Sequence, residues 1–191
     1  MDNDMPRIGI ILGSTRPGRK GEAVAQWVYK LATQRTDATC EIVDLVDYDL
    51  PLLDEPVPAS LASGGHSHTK EWAAKIASYD GFVFVTPEYN HLTSAALKNA
   101  IDYLFSEWNN KAAGFVSYGG YCGTRAVENL RLVLGALGVA DIAPQVAFSL
   151  FTDFENFSEF TPGEHHAPQL TAMLDQLIAW TTALATLRQP A

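Results

Sequence analysis

Near the start of the chain lies the segment Arg7-Ile-Gly-Ile-Ile-Leu-Gly-Ser-Thr-Arg-Pro-Gly-Arg-Lys-Gly21. Its first six residues form an apolar run that suits a buried β-strand, and the rest is a loop rich in glycine, hydroxyl groups and cations. Apolar periodicity then predicts a helix that begins near Gly21. A strand that leads through such a loop into a helix N-terminus is typical of a phosphate site, since backbone N–H groups and the helix dipole converge there. A plain polar turn that caps the helix is the alternative interpretation.

The same order of strand and helix recurs along the chain. Short apolar runs with β-branched residues predict strands at 7–12, 39–45, 81–86, 112–118 and 140–150. Helical periodicity predicts helices at about 21–34, 68–78, 94–108, 124–137 and 166–187. Because each connection is long enough for a crossover helix, the pattern predicts a parallel sheet covered on both faces by right-handed βαβ units.

Two features refine this fold prediction. The pattern has five strands instead of six, and the first strand leads into a polar loop instead of GxGxxG. The sequence therefore predicts an α/β fold of the flavodoxin-like type, a three-layer α/β/α sandwich with a five-stranded parallel sheet in the order 2-1-3-4-5. The first loop also lacks the Gly-Lys-Ser/Thr of a Walker A motif, which argues against ATP or GTP hydrolysis.

Length and composition indicate one domain spanning residues 1–191, because the chain has no repeat and no long linker. Residues 1–7 are polar and do not look like a secretory signal, and no apolar stretch approaches the roughly 20 residues of a membrane span. We therefore expect a cytoplasmic protein. Cys40 and Cys122 are far apart and form no CxxC pair, which predicts two free thiols.

The net charge narrows the range of partners. With 13 Lys and Arg against 22 Asp and Glu, the formal charge is −9, which opposes attraction to nucleic acid or to an anionic membrane. Neither is expected as a partner. Three cations nevertheless fall within residues 16–20, so a local anion site is the simplest explanation of that loop.

Two further motifs follow the third and fourth predicted strands, at the sheet edge where open α/β folds bind ligands. The first is Thr86-Pro-Glu-Tyr-Asn90 with Leu97-Lys-Asn-Ala-Ile-Asp102, and the second is Gly114-Phe-Val-Ser-Tyr-Gly-Gly120 with Gly123-Thr-Arg-Ala-Val-Glu-Asn-Leu-Arg131. Together with the first loop they resemble the NADPH-dependent FMN reductase family, which includes quinone, azo-dye and chromate reductases. The resemblance runs from about residue 8 to residue 131.

The resemblance implies non-covalent FMN binding by residues at the three loops. Matching positions at the phosphate are Ser14, Arg16, Arg19 and Gly21, with Thr15 and Glu22 as neighbours. Positions that match the contacts to the isoalloxazine ring and ribityl chain are Pro87, Glu88, Tyr89 and Asn90, with His91 at the flavin's edge. Ser117, Gly119 and Gly120 match the turn beneath the pyrimidine end of the ring, where donors stabilise negative charge in the reduced flavin.

The implied reaction is a ping-pong transfer of hydride from NADPH or NADH, through FMN, to a small-molecule electron acceptor such as free flavin or a quinone. Because the cofactor carries this chemistry, no side chain is assigned as a catalyst. Tyr89 or His91 as proton donor to the acceptor remains an open alternative. The sequence also leaves open which nicotinamide cofactor and which acceptor are used. A flavodoxin-type electron carrier or FMN-binding module without nicotinamide reactivity is the competing function.

The chain departs from the family pattern after Pro-Glu-Tyr-Asn, where relatives often have small residues and this chain has His91-Leu-Thr93. The paired histidines 66/68 and 165/166 have no acidic or cysteine ligand at a recurring interval, so no metal site is predicted. Residues 151–160 contain four phenylalanines, which suit either self-association or packing within the monomer. Homodimers and homotetramers are common among relatives, so the resemblance implies one of these.

Overall fold

The computed structural model describes residues 5–188; residues 1–4 of the polar start and residues 189–191 of the predicted domain lie outside it. The main strands are β1 (Arg7–Leu12), β2 (Thr39–Asp44), β3 (Gly81–Pro87), β4 (Ala112–Gly119) and β5 (Ala140–Ser149). Two short strands, β6 (Phe154–Glu155) and β7 (Glu159–Phe160), follow them. The helices are α1 (Gly21–Ala32), α2 (Ser67–Ala77), α3 (Ala95–Asp102), α4 (Thr124–Ala136) and α5 (His166–Leu184).

The five long strands form one parallel sheet in the order β2-β1-β3-β4-β5. This confirms the predicted flavodoxin-like topology. Every residue of β3 and β4 is buried, because these central strands have helices on both faces. Their carboxyl ends, at Pro87 and Gly119, lie side by side with that of β1.

Two apolar layers fill the space on either side of the sheet. One layer joins alternate residues of the sheet, such as Ile10 and Val116, to α1 and α5. The other layer packs Phe84 and Phe115 against α2, α3 and α4. Alternation along each strand assigns successive side chains to opposite layers, which is the three-layer sandwich that the sequence predicted.

The third helix is shorter than predicted, since α3 ends at Asp102 instead of residue 108. Tyr103 and Trp108 are buried in the core, and the indole N–H of Trp108 donates to the carbonyl oxygen of Ile101 at 3.2 Å. The apolar residues after Asp102 are therefore spaced as in a helix, but they lie in the turns that lead the chain to β4.

Segment 151–160 forms a hairpin, β6–β7, after the sheet's edge strand. Phe160 packs inward against Phe148, and Phe154 packs against Phe160, whereas Phe151 and Phe157 are 68% and 59% exposed. Packing within the monomer thus accounts for half of its phenylalanines and leaves the other half on the surface.

The closing helix corrects one expectation. Residues His166–Leu187, with a mean hydropathy of 1.2, are long and apolar enough to cross a membrane by length and composition, although the sequence was expected to contain no such stretch. In this fold the helix buries Leu170, Met173 and Leu177 against the sheet. One face of the helix thus packs on the sheet, and 33% of its most apolar window is buried.

Candidate functional site

The loops after β1, β3 and β4 meet at the carboxyl edge of the sheet, and the β6–β7 hairpin borders them. Between them lies a cavity of about 260 Å³, which we call the loop cleft. It is lined by Arg16, Arg19, Lys20, Pro87, Glu88, Tyr89, Tyr118, Gly119, Leu150 and Phe157.

The loop after β1 is fixed by contacts with its neighbours. The N–H of Gly13 donates to the carbonyl oxygen of Val85 at 2.9 Å, and the Ser94 hydroxyl donates to the carbonyl oxygen of Gly13. Arg19 donates to the Ser14 carbonyl oxygen at 2.8 Å and forms a forked pair with the Asp44 carboxylate at the end of β2. Its hydrogen bonds to Asp44 raise the pKa of Arg19, so this guanidinium is charged and already engaged.

The other two cations of the loop have no such partner. Within residues 5–188, neither Arg16 nor Lys20 forms an ion pair; Lys20 donates only to the Ser158 hydroxyl at 3.2 Å, and the Arg16 guanidinium lies 5.9 Å from the centre of the Tyr89 ring. Lys20 is also the N-cap of α1, and no described side chain caps that helix. The first N–H groups of α1 therefore remain available for an anion.

A buried hydroxyl faces the same region. Tyr118 is 5% exposed, and its Oη makes no hydrogen bond of good geometry with the described residues, although the Ser14 hydroxyl and the Gly21 backbone lie near it. Burial raises the pKa of this hydroxyl, which stays protonated and can donate. A Cβ at Gly21 would come within 2.6 Å of that oxygen, so glycine is needed at the start of α1. An orphaned donor next to an uncapped helix fits a phosphate ligand.

The loop after β3 contains a nearly buried carboxylate. The Glu88 side chain is 5% exposed and accepts hydrogen bonds from Nε, Nη2 and the backbone N–H of Arg125, at the start of α4. This compensation lets a charged group remain inside the wall of the cleft. Next to it, the hydroxyls of Tyr89 and Ser14 share a hydrogen bond of 3.2 Å, which joins the loops that follow β1 and β3.

Comparison with known proteins agrees with this geometry. The model of the NADPH-dependent FMN reductase family matches residues 6–153. The chain belongs to this family. An NAD(P)H-dependent FMN reductase of Schizosaccharomyces pombe is 43% identical over 134 residues, which cover 69% of this chain and 67% of the relative. A quinone reductase of Pseudomonas putida is 29% identical over 185 residues, covering 91% of this chain and 93% of the relative.

Solved structures show the same fold. The flavoenzyme NAD(P)H:(acceptor) oxidoreductase FerB of Paracoccus denitrificans superimposes with a TM-score of 0.73 at 21% identity, covering 94% of this chain and 98% of that one. The family and its curated members make this chain an FMN-dependent NAD(P)H oxidoreductase.

In this reductase the predicted site residues divide into two groups. Six of them line the loop cleft: Arg16, Arg19, Pro87, Glu88, Tyr89 and Gly119. Ser14 and Gly21 adjoin it through Tyr89 and Tyr118.

The remaining predicted residues face elsewhere. Thr15 lines a neighbouring cavity with Leu45, and Glu22 is exposed on α1. Asn90 faces a groove between α3 and α4, whereas His91 and Gly120 are exposed. Ser117 is fully buried, and its hydroxyl donates to the carbonyl oxygen of Cys122 at 2.7 Å, so it serves the turn after β4.

Gly119 and Gly120 were both matched to the turn beneath the flavin, and the structure separates the two. A Cβ at Gly119 would lie 3.2 Å from the N atom of Gly123, while one at Gly120 would meet only Phe151, at 3.7 Å. The more demanding glycine is Gly123, whose φ is +72° and whose added Cβ would lie 2.8 Å from the N atom of Tyr118. The protein itself therefore has room for a side chain at position 120, and a need for glycine there could come only from a bound ligand.

The sequence analysis assigned no site role to three residues that line the cleft, Tyr118, Leu150 and Phe157, or to Asp44 and Arg125, which pair with Arg19 and Glu88; it counted Lys20 only among the cations of the first loop. Arg125 could have been found from the sequence, because a glutamate that directly follows a buried strand needs a cation nearby.

Among residues 5–188 no three His, Cys, Asp or Glu side chains are arranged to hold a metal ion. Burial raises the pKa of Cys40 to about 11 and also raises that of Cys122.

Proposed function

We propose that the FMN phosphate binds in the loop cleft, against the N-terminus of α1, with Arg16, Lys20 and the Tyr118 hydroxyl as its side-chain donors. The observation that carries this proposal is that, among residues 5–188, Arg16 and Lys20 have no ion-pair partner and the buried Tyr118 hydroxyl makes no hydrogen bond of good geometry, whereas Arg19 and Glu88 are paired. Two unpaired cations match the charge of roughly −2 on a phosphate monoester at neutral pH.

Ser14, Arg19 and Gly21 have supporting roles at this phosphate, and Thr15 and Glu22 are their neighbours along the chain. Arg19 is held by Asp44 and in turn holds the Ser14 carbonyl oxygen, so it shapes the loop and adds positive potential. Gly21 lets the helix start approach the Tyr118 hydroxyl. Such preorganisation lowers the ordering cost of ligand binding.

We further propose that the flavin ring lies across the loops that follow β3 and β4. In this proposal Pro87, Glu88, Tyr89, Asn90 and His91 lie on one side of the ring and Gly119 and Gly120 on the other, while the buried Ser117 supports the turn after β4 from below. When bound, FMN supplies the hydride chemistry between NADPH or NADH and an acceptor such as a flavin or quinone. The protein's residues position the two partners and exclude water.

No proton-transfer catalyst is assigned, and both candidates, Tyr89 and His91, are already hydrogen-bonded to other residues. The Tyr89 hydroxyl is engaged by Ser14, whereas His91 is exposed and accepts from Arg125. If Tyr89 or His91 donates a proton to an acceptor, it must therefore first give up its hydrogen bond to Ser14 or Arg125.

At the level of the whole molecule, we propose a single FMN-binding domain that works in the cytoplasm as a homodimer or homotetramer, without nucleic-acid or membrane partners. The net charge of −9 supports the last point. Leu92 and Leu132 are 51% and 76% exposed at the groove between α3 and α4, and Phe151 and Phe157 are exposed on the hairpin. These apolar side chains supply two surfaces for self-association.

The decisive experiment mixes the purified chain with FMN under anaerobic conditions and then adds NADPH or NADH. We expect the visible absorption of the bound flavin to bleach, and a quinone added afterwards to restore it. An electron carrier would bind FMN yet remain oxidised, and a chain with no affinity for FMN would overturn the proposal. Sedimentation of the holoprotein measures the subunit number in the same preparation.

A further inference from the structure

The loop after β3 makes a tight two-residue turn at Asn90 and His91. Tyr89 and Leu92 flank it and exchange two backbone hydrogen bonds, with N···O distances of 2.8 and 3.0 Å. Both central residues have positive φ, +51° at Asn90 and +73° at His91. This is the pattern of a type I′ turn, in which asparagine suits the first central position and glycine the second.

His91 therefore stands where a side chain is disfavoured. A left-handed backbone places Cβ close to the following carbonyl oxygen, so a residue other than glycine holds this conformation only when its surroundings enforce it. The turn itself supplies no such contact, since its two hydrogen bonds join the flanking residues.

Helix α4 supplies the missing contacts. Nη1 of Arg125 donates to Nε2 of His91 at 3.0 Å, and Nδ2 of Asn129 donates to the carbonyl oxygen of His91 at 3.3 Å. Asn129 also donates to the carbonyl oxygen of Arg125 at 2.8 Å. The two residues lie four positions apart, on one face of the helix. They hold the ring and the backbone of His91 at the same time.

Arg125 is itself locked in place. Its Nε and Nη2 bind the nearly buried Glu88 carboxylate, and its guanidinium lies 4.3 Å from the centre of the Tyr121 ring. The contact to His91 therefore comes from a group that cannot easily move, so the position of α4 determines the position of the turn.

We propose that Arg125 and Asn129 are positioning residues that hold the Asn90–His91 turn in its left-handed conformation and thereby preorganise the flavin-binding surface. This inference rests on the proposed binding of the flavin ring beside the turn. It assigns a role to the start of α4 that does not involve contact with the cofactor.

The test combines a variant that removes the hydrogen bond from Asn129 with variants that change how readily residue 91 adopts a positive φ. Asn129→Ala removes the bond to the His91 carbonyl oxygen, and we expect the FMN Kd to rise about 5-fold. His91→Gly favours positive φ without help, so in that background Asn129→Ala should change the Kd less than 2-fold. His91→Ala keeps the disfavoured backbone and lacks the ring; in that background the rise should be at least as large as in the parent.

Equal factors in the glycine and parent backgrounds would overturn the proposal, because Asn129 would then act independently of the turn. Arg125→Lys provides a second variant that keeps a cation beside Glu88 but cannot reach Glu88 and His91 together. We expect it to raise the FMN Kd as well, and His91→Gly to reduce that rise.

A measurement without cofactor separates this proposal from the function on which it rests. In the apoprotein, the coupling constant between the amide and α protons of His91 reports φ directly, and it should shift in Asn129→Ala. An unchanged coupling constant would refute the positioning role even where FMN binds. A parent chain that does not bind FMN would instead refute the proposed function.

Discussion

Arg16 and Arg19 are three residues apart in one loop, yet the structure predicts different results when each is replaced by alanine. Arg16 is exposed and has no ion-pair partner within the described part of the chain, so Arg16→Ala leaves no charge stranded. A surface change of this kind alters the free energy of unfolding by less than about 0.5 kcal/mol. If Arg16 binds the FMN phosphate, the loss of one charge-assisted hydrogen bond weakens binding by about 1.5–3 kcal/mol, or roughly 10- to 150-fold in Kd.

Arg19→Ala removes the forked pair with Asp44 and the bond to the Ser14 carbonyl oxygen. The side chains of the pair are 13% and 22% exposed, so solvent partly relieves the stranded carboxylate. We expect the apoprotein to lose about 1–3 kcal/mol of stability, below the full cost of breaking a buried pair. FMN affinity should fall as well, because the loop loses its anchor.

Urea unfolding of the apoproteins and titration of flavin fluorescence measure the two quantities separately. A third check uses linkage: at an FMN concentration 100 times the parent Kd, the ligand stabilises the parent by about 2.7 kcal/mol. With a 10- to 150-fold weaker Kd, Arg16→Ala should retain only about 0.3–1.4 kcal/mol of that gain. An Arg16→Ala protein that binds FMN within 2-fold of the parent would refute the phosphate assignment, whatever Arg19→Ala does.

Three further predictions concern Tyr118, the glycines after β4 and Lys111. Tyr118→Phe removes a hydroxyl that makes no hydrogen bond of good geometry with residues 5–188, so apoprotein stability in urea should hold or rise by up to about 1 kcal/mol while the FMN Kd increases. A drop in stability would show that the hydroxyl has a partner. Gly123→Ala should cost at least about 2 kcal/mol of stability, with Gly120→Ala as its nearly neutral control, because only the former introduces a clash at positive φ. Burial lowers the pKa of Lys111 to about 8, so the folded state loses this proton before the unfolded chain does. Stability should therefore rise between pH 8 and about 10, by up to about 3 kcal/mol, and Lys111→Met should flatten that rise.

The parts of the fold that the sequence predicted well are those in which one local pattern is sufficient. The uninterrupted apolar runs of β3 and β4 occur because helices cover both faces, and the first loop shows its glycines and cations side by side. The C-terminal end of α3 was wrong because Trp108 continues the apolar spacing of a helix while its indole packs back into the core. Local periodicity does not distinguish these two situations.

Within the site, the sequence could not predict which charged side chains pair with partners on neighbouring strands and helices. Arg16 and Arg19 are equivalent in a sequence motif, and only the position of Asp44, at the carboxyl end of the neighbouring strand, makes one of them structural. Arg125 lies in a segment that resembles the family, yet its partner Glu88 is 37 residues away. A residue-by-residue match identifies positions that are near the ligand; it does not reveal which of them contact it.

Pairing within the cleft provides a physical criterion for that distinction. A charged group that already has a partner, such as Arg19 or Glu88, has recovered its desolvation cost inside the protein and gains little by contacting a ligand. A buried donor that lacks a partner of good geometry among residues 5–188, such as the Tyr118 hydroxyl, reduces the stability of the apoprotein, and a ligand that accepts its hydrogen bond restores that free energy. By this criterion the paired groups build the wall of the cleft, and the unpaired ones are the expected contacts of the proposed phosphate. Arg16 and Lys20 are not buried, but neither has an ion-pair partner among residues 5–188. In a chain of net charge −9, short-range contacts at α1 must provide the attraction to an anion that the overall charge does not.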